Sequence, residues 1–169
     1  MLAVVMANVG NHRGMGVEYA TRMRSDILKH ISVLHKVYCF TDMPASLYPR
    51  TRCKTWPVGK PWDESYLFRE GLFVEDRILY FSLDTIITDD IDELACYDGP
   101  YAVSAGGHVM AWRNGISQHD TASPLEAAFP GLITPYQPYP PEGARIVTFD
   151  HAPHEIGGWV AEYWTKEAA

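Results

Sequence analysis

The stretch RILYFSLDTIITDDIDEL, Arg77 to Leu94, decides how the rest of the chain is read. Arg77 to Phe81 is a β-branched, aromatic-rich run without polar alternation, the pattern of a strand buried on both faces. Ser82-Leu83-Asp84 follows at once, so the strand delivers a carboxylate to its own carboxyl end. A desolvated carboxylate needs a partner. A divalent cation is one, because Mg2+ or Mn2+ is held by one or two carboxylates together with substrate phosphates. A turn is the other, in which the Asp84 side chain bonds nearby backbone N–H groups. Asp89, Asp90, Asp92 and Glu93 read as a solvated turn and the first turn of a helix, where acids complement the helix dipole.

Around this strand the chain alternates strands and helices. Leu2 to Met6 is a short apolar run that breaks at the Gly-rich ANVGNHRGMG, a buried first strand and a loop. From Gly16 to His35, Tyr19, Met23, Ile27, Ile31 and Leu34 recur every three or four residues, which predicts an amphipathic helix. Lys36 to Asp42, KVYCFTD, predicts a second strand that stops at Asp42. MPASLYP and WPVGKPW read as Pro-punctuated loops, and Glu64 to Leu72 as a short helix. PYAVSAGGHVMAWRNG predicts two short strands, or a strand and a turn. Asn114 to Pro141 reads as a long ordered loop with a helix near Pro124 to Phe129, ARIVTFDHAPH as a further strand, and GGWVAEYWTKEAA as a terminal helix. The order predicts an α/β fold, Rossmann-like, with a mixed, mainly parallel sheet flanked by helices in a single compact domain. Ligands of such sheets bind beyond the carboxyl ends of the strands. That singles out Asn8 to Arg13, Thr41 and Asp42, Ser82 to Asp84, and Asp150 to His154.

Composition narrows the function. With 169 residues, 47% of them hydrophobic and 21% charged, the chain can bury a core and is not disordered. A formal charge of -7 argues against extended nucleic-acid binding, which rests on clustered Lys and Arg. Cys39, Cys53 and Cys96 are odd in number and form no CxxC pair, as expected of reduced thiols. The first residues lack the basic flank of a signal peptide, and no apolar run reaches membrane-spanning length. A cytoplasmic protein is the expectation. No GxxxxGK[ST], GxSxG or HExxH occurs, and no GxGxxG follows the first strand, so ATPase, α/β-hydrolase, zincin and dinucleotide-oxidoreductase readings lose their support.

Other residues carry chemistry with a plainer alternative beside it. FDHAPHEIGGW places Asp150, His151 and His154 after a strand, as metal ligands or as a solvated loop. His12 and Arg13 could meet a phosphate or simply water, and the many Trp and Tyr residues are core packing or, in one or two cases, a stacking surface for a sugar or base.

Five segments, in order, resemble the glycosyltransferases of the GT-A type, family-8-like. RILYFSLDTIITDDIDEL is similar to the strand that carries their DxD motif. VYCFTD resembles their second-strand nucleotide segment, WDESYLFREGLF the segment before the DxD strand, GGHVMAW a later strand, and RIVTFDHAPHEIGGWVAEYW the C-terminal region. The resemblance implies a GT-A-like fold over residues 1–169 and transfer of a sugar from a nucleotide-diphosphate sugar donor to an acceptor it does not specify. It implies Mn2+ or Mg2+ held by Asp84, Asp150 and His151. It places Asn8, Asp42, Glu64, Leu83, Asp84 and His154 against the donor, and Asp84 and His108 at the catalytic centre. The chain departs from the pattern at Ser82, which stands for the first DxD acid. It also departs at Glu64 and His154, which stand for lysines, at Asp150, which stands for a histidine, and at His108, which stands for a glycine. The chain is short for the family, which implies a reduced acceptor-shaping part. Two further readings stay open: a non-catalytic GT-A-like nucleotide-binding or interaction module, and a different small α/β enzyme using its acids and histidines as general acid or base.

Overall fold

The computed structural model describes residues 1–10, 16–43, 53–58, 62–117, 120–139, 141–150, 153 and 156–166. His12, Arg13, His151 and His154 lie outside these residues. The strands are β1 (Leu2–Asn8), β2 (His35–Thr41), β3 (Lys54–Pro57), β4 (Arg77–Phe81), β5 (Thr85–Ile87), β6 (Ala102–Val103), β7 (Val109–Arg113), β8 (Ser123–Pro124), β9 (Ile133–Pro135) and β10 (Ile146–Thr148). One sheet has the order β3-β2-β1-β4-β7-β6-β8, and a second, smaller one the order β5-β10-β9.

The large sheet is mostly parallel. β1 runs parallel to β2 and β4, and β3 parallel to β2, while β7 is antiparallel to both β4 and β6. The unbroken apolar strands have a direct cause, because both faces of the sheet are covered. Leu2, Val4 and Met6 of β1 and Leu79 and Phe81 of β4 pack with Tyr19, Met23 and Ile27 of helix α1 (Val17–His30). Ala3, Val5, Ile78 and Tyr80 pack on the other face with Phe40, Leu67, Phe73 and Trp112. Ile133 and Ile146 of the small sheet belong to the same core cluster as β1 and α1, so the two sheets share one apolar interior.

Four expectations need correction. The predicted helix to His35 ends at His30, and His35 instead opens β2. The apolar spacing continues through Ile31 and Leu34, but the last carbonyl of the helix accepts the Ile91 N–H at 3.0 Å and Asp92 captures Ser32, which turns the chain away. Leu34 is left 79% exposed. The start of the WPVGKPW loop belongs to β3, an edge strand in which Pro57 is tolerated because, among the described residues, no further neighbour is paired beyond it in the sheet. The long segment Asn114 to Pro141 contains β8 and β9 as well as the expected helix, Leu125–Ala128. The Glu64 helix is a 3-10 turn, Glu64–Phe68, capped by the Asp63 carboxylate on the Ser65 N–H at 2.7 Å. The terminal helix forms at Trp159–Lys166. No helix among the described residues is long and apolar enough to cross a membrane.

One buried polar group supports the amino end of β4. Glu75 is fully buried, and one of its oxygens accepts from the Tyr38 hydroxyl at 3.0 Å and from the Lys36 ammonium at 2.9 Å. Burial pushes this carboxyl up, but the bonds from Lys36 and Tyr38 together outweigh burial and hold it below the usual carboxylate range. Burial, and after it Glu75, pushes the Tyr38 phenol up to about 12. Because the folded value for Glu75 is depressed, its contribution to stability is present above the ordinary glutamate value of about 4.3 and is lost as pH falls through the folded value. Glu75→Gln should therefore cost about 1–3 kcal/mol at pH 7. The gap to the parent protein in urea midpoints should narrow as pH is lowered below about 4.3.

Candidate functional site

The parallel strands β1, β2 and β4 end on one edge of the sheet. Asn8 faces Thr41 in register, and Phe81 lies beside Met6, so the residues after Asn8, Thr41 and Phe81 leave the sheet together. Asn8 is buried and its amide donates to the Gly16 carbonyl at 3.2 Å, which ties the β1 loop to the start of α1. The Gly10 N–H points at both Asp42 carboxylate oxygens, at 3.1 and 3.2 Å. Gly10 has φ +76, a conformation glycine adopts without strain. Thus Asn8 and Asp42, singled out from two separate strands, are brought to one place by the loop after β1, through the Gly10–Asp42 contact.

The end of β4 carries the second cluster. The Ser82 hydroxyl donates to Asp84 Oδ1, and the same oxygen lies 2.9 Å from His108 Nδ1. Ser82 Oγ is also 3.3 Å from His108 Nδ1 and 3.3 Å from Thr85 Oγ1. The backbone holds the partners in register, with the Ser82 N–H on the His108 carbonyl at 2.8 Å and the Phe149 N–H on the Asp84 carbonyl at 3.0 Å. Asp84 is 6% exposed, and its Oδ1 is met by Ser82 and His108 in place of water. His108 reaches it because β7 runs antiparallel to β4 and begins where β4 ends.

His108 also lines a cavity of about 300 Å³ with Gly106, Glu126, Tyr136, Phe149 and Asp150. Gly106 has φ +78, and a Cβ there would come within 2.8 Å of His108 Nε2. Gly106→Ala should cost about 1–2 kcal/mol from the backbone conformation alone. A fall of about 2–8 °C in melting temperature checks this.

The remaining sequence candidates divide. Leu83 packs its side chain into the core. Glu64 is exposed on its 3-10 turn, and it and Asp84 both act electrostatically on the buried Tyr80, whose phenol is pushed up first by burial and then by these charges. Asp150 is exposed on the wall of the His108 cavity, two residues beyond Thr148, which pairs with Thr85. Asp84 and Asp150 thus leave adjoining strand ends. The acids after Asp84 behave as a turn and helix start. Asp89 Oδ1 accepts the Asp90 N–H at 2.8 Å, Asp90 Oδ1 accepts the Asp92 N–H at 2.9 Å, and Asp92 opens the helix Asp92–Ala95. Glu126 and Tyr136 are cavity residues that the sequence reading missed. Glu126 gave no signal beyond an acid at a short helix start, although its Oε1 takes the Ala105 N–H at 2.8 Å and so anchors the turn before His108.

Among the described residues no three His, Cys, Asp or Glu side chains are grouped to hold a metal by themselves. Two carboxylates at adjoining strand ends are nevertheless hard oxygen donors of the kind that fit Mg2+ or Mn2+ when substrate phosphates complete the shell. Asp84 already shares one oxygen with Ser82 and His108, so any cation there competes with them.

Two structures of the glycosyltransferase GlyE of Streptococcus pneumoniae TIGR4, one of them the apo form, resemble this chain with TM-scores of 0.64 and 0.62. Each is 16% identical and is matched over 97% of this chain and 59% of its own. The shared feature is the fold, and this chain spans about three-fifths of the length of those proteins. No protein-family model and no curated protein sequence matches the chain.

Proposed function

We propose that this protein is a glycosyltransferase of the GT-A type that takes a nucleotide-diphosphate sugar as donor. The observation that carries the reading is the cluster of Ser82, Asp84 and His108 at the end of β4, on the same sheet edge as Asn8 and Asp42. That edge would offer the nucleoside the loops joined at the Gly10–Asp42 contact and the diphosphate the Asp84 cluster, in an α/β sheet whose ligands bind at this end. The fold likeness to a glycosyltransferase supports the same assignment.

In the proposed reaction the acceptor hydroxyl oxygen bonds to the anomeric carbon. The bond from that carbon to the diphosphate oxygen breaks, with its electron pair going to the diphosphate, and the hydroxyl proton is released to solvent. Asp84, with Asp150 and His151, would hold Mn2+ or Mg2+, which when bound offsets the charge gathering on the leaving diphosphate. Ser82 and His108 fix the orientation of the Asp84 carboxylate. Asn8 holds the loop that presents Gly10 and Asp42.

A non-catalytic nucleotide-binding module is the second reading. Ser82 in place of an acid, and an Asp84 oxygen already occupied by His108, favour it. A thermal-shift panel of uridine- and guanosine-diphosphate sugars, with and without Mn2+, tests both. The first reading expects little shift with Mn2+ alone, because the cation lacks phosphate oxygens, and a clear shift with Mn2+ and one donor together, accompanied by release of nucleoside diphosphate on adding acceptors. A shift without any turnover sinks the transferase and leaves the binding module. No shift with any donor sinks both.

A further inference from the structure

We infer that a second cavity, at the amino edge of the large sheet, is a binding site for a small zwitterion: an α-amino acid with an apolar side chain. The site is separate from the proposed donor site, because it lies at the far end of the strand that leads to Asp84. β7 runs antiparallel to β4, so Arg113 sits beside Arg77 and Asn114 leaves the sheet where β4 enters it. Four residue steps of about 3.3 Å put about 13 Å of strand between this edge and Phe81.

Two glycine-cornered turns contribute to this cavity of about 260 Å³. In one the Leu72 N–H donates to the Arg69 carbonyl at 3.2 Å, and in the other the Ile116 N–H donates to the Arg113 carbonyl at 3.3 Å. Gly71 and Gly115 have φ +72 and +90, and a Cβ at either would meet no atom within 4 Å, so both corners leave open space. Asn114 ties the second turn to the segment before β4. Its backbone N–H donates to the Asp76 carbonyl at 2.8 Å and its side-chain amide to the Phe73 carbonyl at 2.8 Å. The amide oxygen of Asn114 remains an acceptor.

The lining selects the chemistry. Phe68 stacks on Trp112 at 4.8 Å, and the half-buried Ile116 packs in the same cluster, which gives an apolar floor. Arg69 and Glu70 are exposed and add one cation and one anion to the lining. Among the described residues neither takes part in an ion pair. The Arg69 guanidinium lies over the Tyr66 ring at 3.7 Å, and stacking of this kind leaves its in-plane N–H donors for a carboxylate. Glu70 only accepts hydrogen bonds, which suits an ammonium group. A ligand with one charge alone would meet like charge at Arg69 or at Glu70. A molecule with both charges beside an apolar side chain meets the two residues and the floor together. About 260 Å³ lies just below the range of about 300–1,000 Å³ for ligand pockets, which fits a single amino acid better than a nucleotide.

Proton–nitrogen NMR on the full chain, without nucleotide or metal, tests the inference through the Trp112 indole N–H, assigned with Trp112→Phe. The probes are L-phenylalanine and L-leucine. Each is paired with its N-acetyl derivative, which lacks the cation, and its amide, which lacks the anion. At least one of the two amino acids should move the indole resonance, with a Kd on the order of 1–10 mM for so small a ligand. Its two blocked derivatives should each bind about 2–5-fold more weakly, the scale of an exposed ion pair. Arg69→Gln should erase the advantage of the amino acid over its amide and keep the advantage over the N-acetyl form. Glu70→Gln should do the reverse. A general loosening of the fold would not divide the two preferences in this way. An indole that neither amino acid moves, a blocked derivative that binds as tightly as its amino acid, or variants that keep both preferences would overturn the inference.

Discussion

Asp84→Asn is expected to erase the donor-dependent rise in melting temperature and to lower transfer by about 100-fold or more, the scale of removing one group that offsets developing charge. A ligand present at 100 times its Kd stabilises a folded chain by about 2.7 kcal/mol. For a domain of this size that is about 5–11 °C, so the parent shift is easily read and its loss is unambiguous. Asparagine keeps the size and one acceptor oxygen for Ser82, so the unliganded protein should melt within a few degrees of the parent. The change removes the negative charge that pairs with His108, together with the charge that would meet a cation. Nucleotide thermal shift and donor turnover, measured side by side on the two proteins, check both parts. A variant with an undiminished Mn2+-dependent shift would mean that Asp84 is a structural acid held by Ser82 and His108 and nothing more.

Phe81→Ala should produce the largest loss of stability, about 3–5 kcal/mol. Phe81 is the last residue of β4, is 0% exposed, and packs in the cluster that joins β1, α1 and the small sheet. Truncation removes the ring and leaves a void that β-sheet neighbours cannot close. At about 2–4 °C per kcal/mol the melting temperature should fall by about 6–20 °C. Ser82 follows Phe81 directly, so the variant should also respond less to donor than its remaining stability would suggest. Urea denaturation reads the first effect, and a loss below about 1 kcal/mol would show that the β4 end is not the packed anchor described above.

What the sequence disclosed follows from which forces are local. The edge that gathers Asn8, Asp42 and Asp84 was legible because three apolar runs stop abruptly at polar residues, and parallel strands end on one side. The turn at Asp89 to Asp92 was legible too, since acids at a helix start bond their own backbone. Of the small sheet only β10 was legible, inside the run ARIVTF. Its neighbours β5 and β9 are three residues long, too short for a period to show, and the pairing is set by contacts such as Phe149 with Asp84 that join distant parts of the chain. The end of α1 was missed for a related reason, because Ile91 and Asp92 stop the helix from 60 residues away, as the Ser32–Asp92 bond shows. His108 could be noticed only as a departure from a pattern, while its contact with Asp84 needs the antiparallel pairing of β7 with β4. Glu126 showed only as an acid at a short helix start, since its role comes from facing Ala105 across 21 positions.

A crystal of the protein grown with Mn2+ and the nucleotide that gives the largest thermal shift, with data collected at the manganese edge, tests the central claim most directly. An anomalous peak is expected that touches both the Asp84 carboxylate and the diphosphate, with the nucleoside lying against the Gly10–Asp42 contact. A nucleotide seated elsewhere, or a diphosphate bound with no manganese at Asp84, would contradict it.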